Sequence, residues 1–206
     1  MNTFTFRLLV TLLFTSPAFA ASSVDLTVKG LITPSACTPS LPGAVDYGKI
    51  SAKDLNVDKQ TRLALQTIPL TVSCEAKTLF AIKPVDNRPG SASTITRSAY
   101  GLGLINVTEK LGHYMLTFRN PVTEIPSMML AFSYGRWSEL DSDDAVIPGT
   151  LVALGDYQGD IGYFPHPLQN AAMDIVLYTY IAPTNTLTLT NEVALDGSAT
   201  LELNYL

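Results

Sequence analysis

The last ten residues of the chain, 197–206, constrain its fold more than any other stretch. Ala199, Leu201, Leu203 and Tyr205 alternate with Thr200, Glu202, Asn204 and Leu206, the two-residue period of a β-strand with one face toward a core. A strand that ends where the chain ends cannot fold back to cover its own free edge. Unpaired buried amides and carbonyls are costly, and exposed ones recruit partners. That edge is therefore expected to be met by another part of the protein or by another molecule, and function is expected there.

The remainder of the chain fits an all-β protein delivered out of the cytoplasm. Residues 1–20 read as a cleaved signal peptide, with Arg7, an apolar run over 8–14 and the small-x-small sequence Ala18, Phe19, Ala20. The apolar run is shorter than the ~20 residues of a membrane helix, and no later stretch reaches that length. The chain beyond residue 20 suffices for one generous domain. With 13 Lys and Arg against 18 Asp and Glu, and no basic cluster, nothing favours nucleic acid or an anionic membrane as a partner. Apolar runs are short and cut by 13 glycines and 13 prolines, the profile of a sandwich or barrel rather than a helical bundle.

Cys37 and Cys74 are the two cysteines. In an oxidising compartment an even pair reads as a disulfide, and closing a loop of this length stabilises a fold by about 4 kcal/mol through chain entropy. Two thiolates with His113 and His166 far away in sequence do not make the four-ligand cluster of a zinc site. Asp141, Asp143 and Asp144 lie together, but the glycine and distal glutamate of a calcium loop are missing, so the stretch reads as a solvated acidic loop. No metal and no cofactor is expected.

Along the mature chain, Val24, Leu26 and Val28 alternate with Asp25, Thr27 and Lys29. This is either an ordinary first strand or a detachable one whose apolar side chains are meant for another subunit. Residues 45–50 read as a short strand in which Gly48 marks a bulge, and 51–62 as a surface loop. Ile68, Leu70, Val72 and Cys74 are in phase, so Cys74 faces the core and the disulfide would tie the start of the domain to an inner strand. Further strands are expected over 79–84, 100–107, 113–118 and 186–190. The run 174–181, apolar on both faces, is expected at the centre of its sheet. Neither a nucleophile elbow, nor a phosphate-cradling glycine loop, nor a zinc-protease helix motif occurs. His113 and His166 have no orienting acid spaced with them, so the reading is of a protein that is not an enzyme.

A signal peptide, a short strand leading to one cysteine, a second cysteine about forty residues on, and an alternating C-terminal strand with a penultimate tyrosine together resemble subunits of chaperone-usher fimbriae. The finer resemblance is to a pilin-like secreted group of the GltF and β-fimbrial subunit type. It rests on residues 36–39 (Ala-Cys-Thr-Pro), 45–49 (Val-Asp-Tyr-Gly-Lys), 86–88 (Asp-Asn-Arg) and 195–206. These cover both ends of the chain and little of the middle. The resemblance implies an immunoglobulin-like β-sandwich lacking one strand, with an open groove filled first by a periplasmic chaperone and then by the N-terminal extension of the next subunit.

On that resemblance Tyr205 and Leu206 form the chaperone-recognised end, and Leu201 and Leu203 line the groove's edge. Val24, Leu26 and Val28 supply the donor side chains, within an extension over 21–30 ahead of a domain over 31–206. The implied partners are the chaperone, an outer-membrane usher, neighbouring fimbrial subunits and a host or surface glycan. The implied location is the periplasm or a cell-surface fimbrium. Two features depart from the family pattern: Val193 stands where many pilins carry glycine, with Gly197 nearby, and the extension is short. A second reading, from a different class, is a soluble periplasmic protein whose enlarged middle, 87–170, binds a small ligand or glycan. Tyr100, Tyr134, Trp137 and Tyr157 are its candidate stacking residues, against the plainer expectation that they pack in the core or in turns.

Overall fold

The computed structural model describes residues 36–206; the leader and the donor candidates Val24, Leu26 and Val28 lie outside them. The described chain is all β, with three short 3-10 turns. Its strands are β1 (Cys37–Ser40), β2 (Thr61–Arg62), β3 (Gln66–Thr78), β4 (Phe80–Asp86), β5 (Tyr100–Gly101), β6 (Leu104–Ile105) and β7 (Glu109–Lys110). They continue with β8 (Gly112–Thr123), β9 (Met128–Ser133), β10 (Arg136–Glu139), β11 (Leu151–Tyr157), β12 (Tyr163–Pro165), β13 (Leu168–Ile181) and β14 (Ala199–Tyr205).

These strands form two sheets facing one core, an open-edged sandwich. The first sheet runs β1-β3-β13-β8-β5, with β2 also on β13. The second runs β10-β9-β11-β4-β14, with β12 on β11, and β6 and β7 make a separate ribbon. The alternation read from the sequence places β3 correctly: Leu70, Val72 and Cys74 are buried while Thr71 and Ser73 between them are exposed. β13 is central, paired on both sides, and its neighbours Ile175 and Val176 are both buried. Phe118, Ile82, Val152 and Leu168 help fill the space between the sheets. The register of β13 on β8 shifts between Ala172 and Asp174. There Asn120 takes a left-handed backbone (φ 51°) and its amide donates to Asp174 Oδ2 at 2.7 Å, the short polar side chain that such a bulge favours.

Cys37 and Cys74 are directly opposite in the β1–β3 register and form a disulfide. The bridge ties the first described strand to an inner one, as expected.

Two expected strands are not paired strands. Residues 45–50 and 186–190 lie outside every strand, the latter beginning in a 3-10 turn over Thr184–Thr186. Their side chains nonetheless alternate in burial: Val45, Tyr47 and Ile50 are half-buried, as are Leu187 and Leu189. The sequence pattern carries which side chains face the core. It does not carry hydrogen bonding, which needs a neighbour. The expected pair over 100–107 and 113–118 is likewise divided: β5 pairs with β8, whereas β6 turns back on β7.

Candidate functional site: an open groove beside the last strand

β14 pairs along its length with β4, from Ala199 opposite Asp86 to Tyr205 opposite Phe80. It has no second partner among the described residues. Its inward side chains Ala199, Leu201 and Leu203 pack against the core yet remain only half-buried. The outward face is polar, with Lys83 Nζ 2.6 Å from Glu202 Oε2 across the strand pair, a surface bridge of at most about 1 kcal/mol.

Beside β14 lies a groove of about 1000 Å³. One wall is the extended stretch over 43–52; the other is formed by 189–201. Gly48, at φ 63°, resets the alternation so that Ile50 as well as Val45 and Tyr47 can face inward. The Tyr47 hydroxyl donates to Thr179 Oγ1 at 2.8 Å and so pins the first wall to β13. The floor belongs to the core: Leu111, Tyr114 and Leu116 from the β7–β8 side, and Ile175 from β13. Among the described residues, neither 41–50 nor 189–195 makes a backbone–backbone hydrogen bond. Two extended walls that have few backbone partners among the described residues, over an apolar floor, have the form of a slot for one more strand.

The approach to β14 is fixed by the stretch 86–88. Asp86 Oδ1 accepts from the Arg88 amide at 2.9 Å and Oδ2 from the Gly101 amide at 3.1 Å. Arg88 reaches Asp196 through Nε at 2.8 Å and Nη2 at 2.7 Å, the two-pronged geometry that suits a carboxylate. The hydrogen bond from Arg88 holds the Asp196 carboxyl below its ordinary pKa. Asn87 donates to Ser198 Oγ and Thr200 Oγ1 at 2.9 and 3.0 Å. Gly197 then crosses the floor so closely that a Cβ there would lie 2.8 Å from Leu102 Cδ2 and 3.2 Å from the Tyr114 ring. The aspartate, asparagine and arginine thus act together as the anchor of the second wall.

At the other end of β14, Tyr205 turns to the disulfide-bearing strand, its hydroxyl accepting from the Cys37 amide at 3.0 Å. Leu206 donates its amide to Leu79 O at 3.1 Å, and the side chains of both residues are about half exposed. The residues singled out in the sequence therefore separate by role. Leu201 lines the groove, Leu203 lies on the same inward face of β14 but outside the lining, and Tyr205 and Leu206 lie outside it too, bonded to Cys37 and Leu79. The wall over 43–52, the floor and Gly197's close approach are not assigned from sequence. The signal for the wall is present in the Val45, Tyr47, Ile50 pattern, which reads equally as a paired strand.

Arg119 engages the acidic loop, bonding Asp143 and, at 3.0 Å, Ser142 O. His113 is buried, stacked on Tyr180 with ring centroids 5.0 Å apart, and its Nδ1 lies 3.0 Å from Ser93 Oγ; burial lowers its pKa. Tyr100 is wholly buried and stacks on Tyr114, so it belongs to the core. Tyr134, Trp137 and Tyr157 are instead surface residues of the second sheet's far end.

Comparison with known proteins places residues 26–120 against a family described as "Protein of unknown function (DUF1120)". The chain is also similar to "Uncharacterized protein YhcF" of Escherichia coli K12, 27% identical over 233 aligned positions covering 94% of each chain. "Protein GltF" of the same organism is 24% identical over 239 positions, covering 94% of this chain and 92% of that one.

Proposed function

We propose that this protein is a secreted pilin-like subunit, structural or adhesive, whose incomplete sandwich is completed by a strand from another molecule. A periplasmic chaperone fills the slot first, and the N-terminal extension of a neighbouring subunit replaces it as the fibre is assembled through an outer-membrane usher. No catalytic step is involved. The observation that carries the reading is the groove of about 1000 Å³ flanked by two extended stretches, 41–50 and 189–195, that make no backbone–backbone hydrogen bond among the described residues. Added strands gain affinity from main-chain hydrogen bonds and specificity from pockets that accept alternate side chains. Leu201 and Ala199 on one side, and Val45 and Ile50 on the other, frame pockets of that kind.

The same groove explains why the last strand is so heavily anchored. A strand whose groove-side edge must stay open until a partner arrives has to be held from elsewhere. Here it is held by its pairing with β4 on the other edge, by Arg88 on Asp196 and by Tyr205 on Cys37.

The test is co-purification of the full chain from periplasm, with and without a chaperone of the pilus-assembly type encoded beside it. The expected outcome is a one-to-one complex by sizing and an unstable or aggregating chain without the chaperone. Removal of Tyr205 and Leu206 weakens the complex. A stable oxidised monomer, indifferent to the chaperone and to loss of the last two residues, would overturn the reading.

A further inference from the structure

The sheet that carries β14 at one edge carries β10 at the other, and that far end has a second concavity. The β9–β10 and β11–β12 hairpins stand side by side there and enclose a depression of about 940 Å³, within the usual size range of a small-ligand site. Its walls are two aromatic pairs: Phe132 with Trp137, and Tyr157 with Tyr163, each with ring centroids 5.1 Å apart. Aromatic side chains are among the costliest to leave in water, and a cluster of exposed ones marks a contact surface. Tyr157 keeps 58% of its surface exposed, and Tyr134, on the β9–β10 turn next to the lining residue Gly135, 94%.

Two further observations bear on this end of the molecule, and the second on what the depression takes. The two-residue turn from β9 to β10 is Tyr134-Gly135, with φ 51° and 78°. Such turns favour Asn-Gly, and a left-handed backbone is uncommon for a bulky side chain. Strain kept in place so that a ring stands at a turn's tip points to use of that ring. In addition, Arg136 and Asp160 line the depression from facing hairpins. Among the described residues neither makes an ion pair or a side-chain hydrogen bond, with each other or with anything else. One offers only donors and the other only acceptors.

Ring faces beside an unpaired donor and an unpaired acceptor suit a molecule with flat C–H faces and hydroxyls around its rim. We infer that the depression between the two hairpins is a carbohydrate-binding site, with Trp137 and Tyr157 as stacking platforms and Arg136 and Asp160 as its hydroxyl-binding groups. A second protein is less well served: the sheet edge there, β10, is four residues long, and a concave floor with facing opposite charges would leave a flat partner unable to reach it. The inference stands apart from the groove, since site and groove occupy opposite edges of one sheet, and an occupant of one leaves the other free.

Trp137 is the chain's single tryptophan, so its fluorescence reports this site alone. The intact secreted chain is titrated with lactose, maltotriose, chitobiose, mannobiose and sialyllactose. At least one should give a saturable change in Trp137 emission. Tyr157→Ala and Asp160→Asn should each weaken that response roughly tenfold or more, with melting temperature and chaperone binding unchanged. The proposal is overturned if no sugar gives a saturable response, or if the response survives both substitutions. It is equally overturned if Tyr134→Ala or Tyr157→Ala dissociates an oligomer in sedimentation while no sugar effect exists, since the surface would then be a protein contact.

Discussion

Glu109 shows how a single side chain can govern the groove from outside it. Its carboxylate accepts from the Thr188 amide at 2.6 Å, from Thr188 Oγ1 at 2.8 Å and from Asn106 Nδ2 at 3.2 Å, so that the start of the wall over 189–201 is tied to β7. The Thr188 amide is the main reason that the Glu109 pKa lies below its ordinary 4.5. A carboxylate with a depressed folded-state pKa contributes stability that is present above the unfolded value and lost as pH falls through the folded one. Melting temperature should therefore decline on acidification below about pH 4.5, the ordinary value of Glu109, with Asp196 under Arg88 adding to the decline in the same direction. In Glu109→Gln, which cannot ionise, the melt at neutral pH should be lower and the acid-side slope shallower than in the parent. Parallel slopes for the two proteins would show that the carboxylate does not hold the wall.

At the scale of elements, β1 is four residues long and held to β3 through its register and the Cys37–Cys74 bridge. A loop of 37 residues closed by a disulfide restricts the unfolded chain by about 4 kcal/mol. At roughly 2–4 °C per kcal/mol for a domain of this size, replacing both cysteines by serine should lower the melting temperature by about 8–16 °C. The loss should fall first on β1 and on Tyr205, whose hydroxyl accepts from the Cys37 amide, and hydrogen exchange along β14 would show it. Much of this element-level picture was legible in the sequence. β3 and β14 each turn one face inward, so period two in residue type became period two in burial, and an even cysteine pair reads as a disulfide. Features made by residues distant in sequence were not legible. Val45, Tyr47, Leu187 and Leu189 alternate as strand residues do, but the neighbour that would make them a paired strand is not among the described residues. The aromatic depression is assembled by two hairpin tips, and no local period announces that Trp137 and Tyr157 will meet around one hollow.

At the scale of the whole molecule, no described strand occupies the slot beside β14, and whether a strand from outside fills it can be measured. Leu201 and Leu203 point inward yet remain half-exposed, and the slot beside them reaches the core residues Leu111 and Tyr114. A strand presenting three apolar side chains to such a slot would contribute roughly 5–8 kcal/mol of burial before the cost of ordering it. Anything that binds only the folded state raises its apparent stability with concentration. A synthetic peptide spanning 21–32 of this chain, bearing Val24, Leu26 and Val28, should accordingly raise the melting temperature of the purified protein in a saturable way. Leu201→Asp places a charge on the slot's edge at a side chain that still sees water. It should change the protein's own melt by only a few degrees, about 1 kcal/mol, as expected for a partly exposed position. It should nevertheless abolish the peptide-induced shift, because a bound strand would bury that charge without a partner. A peptide with the three apolar residues changed to serine should give no shift with either protein. If the parent melts cooperatively at the same temperature with and without the peptide and with and without a chaperone, the sandwich is complete as it stands. The groove is then a surface feature rather than a missing strand.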